Sequence, residues 1–160
     1  MTGDERTTLE AWLDFQRATL VLKCGGLDET ALRTASAPPS PLTLLGLVQH
    51  MAEVERNWFR RIVGREIAPP IFDPSADTDG HDGGFELSDD VSFDDALGIW
   101  RREIEAGRTH CATRTLDDVS AFLGTEVSLR WIYLHMLAEY ARHNGHADLI
   151  RERVDGAAGV

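Results

Sequence analysis

The sequence predicts an all-α protein, a four-helix bundle with one long crossover between its second and third helices. Four stretches repeat their apolar residues at helical spacing, and none alternates convincingly at the two-residue spacing of a strand. Proline- and glycine-rich breaks separate the four, and a bundle with a single long connection accommodates them. With 160 residues, 42% of them hydrophobic, the chain suffices for one domain spanning 1–160 and is too short for two.

The first helix is expected from about Glu5 to Cys24, with Leu9, Trp12, Leu13, Phe15, Gln16, Leu20 and Lys23 on one stripe. Gly25-Gly26 ends it, because glycine accepts the left-handed conformation that closes a helix. Ala37-Pro38-Pro39-Ser40-Pro41 then breaks the chain, which places Ser40 as N-cap and Pro41 at the first position of the second helix. That helix is expected to reach about Gly64. Its core candidates are Leu44, Leu45, Leu47, Val48, Met51, Val54, Trp58 and Ile62, interleaved with the polar Glu53, Glu55, Arg56, Arg60 and Arg61.

Between Arg65 and Val91 the composition shifts to proline, glycine and acid. An acidic solvated crossover is the preferred reading of this stretch, with a substrate lid as the alternative. Ser92 caps the third helix, Asp94 and Asp95 complement its dipole, and Ala96, Leu97, Trp100, Ile104 and Gly107 mark its buried side as far as about Thr113. Leu116–Val127 reads as a connection punctuated by Gly124. Ser128 caps the fourth helix, Leu129 to about Val154, which Asp155-Gly156 closes.

A formal net charge of -11 repels phosphate polyanions and anionic headgroups, so nucleic acid and membrane surfaces are disfavoured as partners. No run approaches the ~18 apolar residues of a membrane span. Two cysteines, Cys24 and Cys111, with no CxxC and no secretory segment, fit a soluble protein in the cytoplasm. Both sit near helix ends and read as inert thiols.

Chemistry concentrates on the fourth helix, where His135, Glu139, His143 and His146 fall on one side at about 100° per residue. Glu139 and His143, at i and i+4, can direct a carboxylate and an imidazole into one coordination sphere. His50, in mid-helix beside Leu47, Met51 and Val54, is the candidate third ligand. A glutamate in so apolar a helix wants a cation. Either a metal or an ion pair with Arg142 or a protonated His143 would meet that need. His135 suits a core or supporting role, and His146 is a supporting group or a substitute ligand, with Asn144 beside it. Trp58, Trp131, Tyr133 and Tyr140 read as core rather than pocket lining, and His81 and His110 as solvent residues. HExxH, a paired Glu-x-x-His, a phosphate-binding glycine loop and GxSxG are all absent.

The segments Leu47-Val-Gln-His50-Met-Ala-Glu-Val-Glu-Arg-Asn-Trp58 and His135-Met-Leu-Ala-Glu139-Tyr-Ala-Arg-His143-Asn-Gly-His146 together resemble the DinB/YfiT-like superfamily, in its actinobacterial DinB-like branch. The resemblance covers nearly the whole chain. It implies a four-helix bundle holding a divalent metal through His50, Glu139 and His143. Most members carry histidine where Glu139 stands, and glutamate there is similar to the mycothiol-dependent maleylpyruvate isomerases. The resemblance also implies zinc, with nickel, iron or manganese as alternatives, and mycothiol as co-substrate. The function expected from it is a metal-dependent thiol transferase or isomerase, or a hydrolase, acting on a small molecule. A non-catalytic metal- or small-molecule-binding stress-response protein is the alternative, and a homodimer is expected by analogy.

Overall fold

Asp4 opens the first helix by accepting the backbone N–H of Thr7, and α1 then runs Glu5–Cys24. The computed structural model describes residues 3–72, 83–87 and 89–158. After a single turn, α2 (Glu29–Leu32), come α3 (Leu44–Glu55), a π-helical segment (Arg56–Val63), α4 (Phe93–Cys111), strands β1 (Val119–Phe122) and β2 (Thr125–Ser128), and α5 (Leu129–Asp155). The four long helices of the expected bundle are α1, α3 with its π extension, α4 and α5. Helices α1 and α5 run side by side in the same direction, since Glu5 pairs with Arg130, Gln16 with Asn144 and Lys23 with Asp148.

Ser92 and Ser128 cap α4 and α5 as expected, the former in a reciprocal box with Asp95. Gly156, at φ 80°, closes α5. Three local expectations are corrected. Helix α3 starts at Leu44, not at Pro41, because the Thr43 hydroxyl rather than Ser40 accepts the Gly46 N–H, at 3.0 Å. The 116–127 connection contains an antiparallel hairpin, turned at Leu123-Gly124, where both residues have positive φ. Strands of four residues are too short to display a periodicity. His110, expected in solvent, is half-buried and meets Glu66 at 2.6 Å, while His81 lies outside the described residues.

Every residue of α3 is buried, which makes it the central helix and forces its polar side chains into the interior. Glu55, read from sequence as an interleaved polar residue, is instead fully buried and grips Arg17 of α1 with two bonds of 2.8 Å. Tyr140 donates to the same carboxylate at 2.5 Å and accepts from the Trp100 indole at 2.9 Å. Burial, then the neighbouring Glu55 charge, holds the Tyr140 phenol well above its ordinary pKa, so it stays a donor. Glu53 accepts the backbone N–H groups of Ile71 and Phe72, and Glu103 of α4 receives Arg56 and Arg60 from the π segment.

A Cβ at Gly107 would lie 2.9 Å from the Phe59 Cβ, so glycine is what lets α4 close on the π segment. Burial pushes the thiols of Cys24 and Cys111 up to about 12 and about 11, in keeping with inert cysteines. Among the described residues no helix is long and apolar enough to cross a membrane.

Candidate metal centre

His50 comes from the middle of α3, and Glu139 and His143 come from successive turns of α5. One potential ligand atom from each lies within 4.8 Å of the others, and all three side chains are buried. A distance in sequence of some ninety residues is closed here because α3 packs directly against α5.

The donor chemistry suits a divalent cation. His50 Nδ1 lies 2.9 Å from the Gly83 carbonyl, which can only accept, so a proton on Nδ1 makes Nε2 the nitrogen with a lone pair to offer a cation. His143 turns Nε2 toward Glu139 Oε2, at 3.5 Å, and Nδ1 toward His146 Nδ1, at 3.4 Å. Burial first, then the proximity of His50 and His146, pulls the His143 pKa down to about 3, so its imidazole is neutral at physiological pH. Glu139 and His143 therefore do not form an ion pair at neutral pH. Arg142 does pair with the other glutamate oxygen, at 2.8 Å, but its side chain is 60% exposed. A pairing of that exposure contributes little, about 0–1 kcal/mol. Two imidazoles and a buried carboxylate thus converge in a set that suits zinc and its neighbours.

A family model described as MST, mycothiol-S-transferase, matches residues 8–156. The chain belongs to the mycothiol-S-transferase family. No curated protein and no solved structure matches it. The family match agrees with the DinB-like resemblance drawn from the two motifs.

In this mycothiol-S-transferase family member the three residues sit in a cleft of about 450 Å³, whose walls are Asn57 and Trp58 of the π segment, Phe85, Phe122 of the hairpin, and Trp131, His135 and Arg142 of α5. π-Helical turns recur at functional sites, and this one supplies two of the walls. Trp58 belongs to the core as expected and also borders the cleft, Trp131, expected in the core, is 42% exposed and lines it, and Tyr140 and Tyr133 are buried away from it, Tyr133 donating to Glu10 at 3.0 Å. His135 stacks on Trp131, with burial lowering its pKa, and His146 lies behind the His143 ring rather than within the triad. Asn144 bonds Gln16 of α1 instead of His146. A second cavity, of about 440 Å³ beside α1 and α4, is lined by Arg6, Arg17 and Arg108. Glu10, Asp14 and Glu55 already pair those arginines, so it reads as structural.

The 65–91 crossover contributes more than a solvated loop. Its far end packs on α3, with Phe85 stacked over the His50 ring at 3.9 Å and 18°. Gly84 makes this possible: its φ is +93°, and a Cβ there would come within 3.1 Å of the His50 backbone. Within the 65–91 stretch, read as a solvated crossover with a lid as the alternative, residues 73–82 and 88 lie outside the described residues. Alanine at Gly84 is expected to lift the Gly83 carbonyl off His50 and weaken metal affinity about 10-fold. Competition with a chromophoric chelator measures this, and unchanged affinity would show that Gly83 does not orient the ring.

Proposed function

We propose that this protein is a divalent-metal-dependent transferase that joins the thiol of mycothiol to a small electrophile, with His50, Glu139 and His143 as the metal ligands. The observation that carries this reading is the convergence of three ligand atoms within 4.8 Å in an open cleft, in a chain of the mycothiol-S-transferase family. When bound, the cation supplies Lewis acidity that lowers the pKa of a thiol brought to it.

The chain's own residues do the rest. Glu139 would offer the one negative charge of the set and the two imidazoles none, so that with a divalent cation held there the site would keep a net positive charge. The Gly83 carbonyl fixes the His50 tautomer, and His146 can accept from His143 Nδ1. Phe85 covers the His50 ring and keeps water from that side. In the reaction a C–S bond forms, the thiol proton leaves to solvent or to the product, and the electrophile releases a leaving group or accepts a proton on its former double bond. Zinc heads the metals this donor set suits, followed by nickel, iron and manganese.

Two free, buried cysteines suit the reducing cytoplasm that a free-thiol substrate requires. The exposed Trp12, Phe15 and Leu22 of α1 and Leu134 and Leu149 of α5 support the homodimer expected by analogy, since apolar surface on a chain of net charge -11 is where two copies meet with least repulsion.

The test is mycothiol consumption by zinc-loaded protein presented with small electrophiles such as enones and benzyl halides. Turnover is expected to require mycothiol and to vanish on chelation. Stoichiometric metal without thiol-dependent turnover across the panel would favour the non-catalytic binding protein instead.

A further inference from the structure

Trp58 is 4% exposed, it lines the cleft, and its indole N–H has no hydrogen-bond partner among the described residues. A buried donor left unmade costs about 1–3 kcal/mol, so a ligand acceptor is the natural occupant of that position. Around it stands a wall of rings. Trp58 lies 4.3 Å from His135 and 4.9 Å from Phe122, and Trp131 stacks parallel to His135, at 8° and 5.1 Å. Trp131 is 42% exposed, which leaves part of its surface open to a ring entering from solvent.

Charge separates the two ends of the cleft. Its charged lining residues, Glu139 and Arg142, pair with each other at the metal end, and among the described residues that line the aromatic end none is an acid, a lysine or an arginine. We infer that the aromatic end is the seat of the electrophile, and that it selects an uncharged aromatic or conjugated planar group bearing a carbonyl-type acceptor for the Trp58 N–H. Such a group buries apolar faces against Trp131 and Phe122 and satisfies the indole donor. The inference rests on the transferase reading above, because it assigns the metal end to the thiol and the aromatic end to its reaction partner.

The four tryptophans, Trp12, Trp58, Trp100 and Trp131, give four indole N–H resonances in a ¹H–¹⁵N spectrum. The probe is 4-phenylbutan-2-one, an aromatic ketone with no electrophilic double bond, titrated into zinc-loaded protein. The Trp58 resonance is expected to move downfield and the Trp131 resonance to shift with it. Trp12, on the outer face of α1, and Trp100, bonded to Tyr140, should stay in place and report an intact fold. Trp58→Phe retains an aromatic face, removes the donor and should weaken binding about 5-fold. Trp131→Leu should weaken it about 5-fold or more, and 4-cyclohexylbutan-2-one, which lacks the flat ring, by a similar factor.

A stationary Trp58 resonance up to the solubility of the probe overturns the inference, as does unaltered affinity in Trp131→Leu. Shifts at Trp58 and Trp131 without thiol turnover support the subsite and overturn the transferase reading. Thiol turnover of small electrophiles with no such shifts overturns the subsite alone.

Discussion

His50→Ala is expected to reduce metal affinity by at least about 100-fold and to abolish thiol-dependent turnover, while the protein stays folded. The reasoning is geometric. Glu139 and His143 both belong to α5, so without His50 the site keeps two ligands from one helix and loses the one that α3 contributes. His50 is 5% exposed at the floor of a cleft, and truncating it enlarges a space that is already open, so the bundle survives. Glu139→Gln should weaken binding comparably by removing the negative charge, and His143→Ala by removing a neutral imidazole. His146→Ala is the informative contrast. Because its ring lies behind His143, it should cost about 10-fold rather than the whole site. Elemental analysis after exhaustive dialysis reads all four. Metal retained at one equivalent in His50→Ala, or lost only in His146→Ala, would contradict the assignment.

Glu55→Ala is expected to be the most damaging substitution for stability, at about 3–5 kcal/mol. Its carboxylate is completely buried and holds the two bonds from Arg17 and the one from Tyr140. Removal strands a guanidinium that is 8% exposed, leaving Asp14 as its remaining partner. A drop in melting temperature on the order of 10 °C should follow for a chain of this length. Replacing the pair together, Arg17→Met with Glu55→Leu, should recover much of that loss, because two charges and their desolvation disappear at once. Urea titrations of the three variants decide the matter, and a single substitution no worse than the double would show that the pair is not what holds α1 to α3.

Much of this was legible in the sequence where local chemistry decides. Gly26, Ser92, Ser128 and Gly156 mark helix ends because a cap needs one particular side chain or one particular φ, and both are written in the residue itself. The triad was legible for a related reason: Glu139 and His143 are neighbours on any helix, and a buried glutamate demands a cation. His50 joined them on its apolar surroundings and on the family resemblance.

What could not be read depends on which helix ends up in the middle. Glu53 and Glu55 have the spacing of solvent residues, and only the packing of α1, α4 and α5 around α3 turns them inward toward Ile71 and Arg17. Gly83, Gly84 and Phe85 look like the tail of an acidic loop, and their contact with His50 is a long-range one that periodicity does not encode. Trp58 and Trp131 carry the same signature whether they fill a core or line a cleft, so their place follows from the π segment and the hairpin, neither of which leaves a repeat long enough to recognise.

Anomalous diffraction from zinc-loaded crystals, collected on both sides of the zinc edge, locates the cation itself. A single strong peak bonded to His50, Glu139 and His143, with the Gly83 carbonyl still on His50 Nδ1, is the predicted result. A peak elsewhere on the acidic surface, or three empty side chains with the His50 ring swung away from α5, would contradict it.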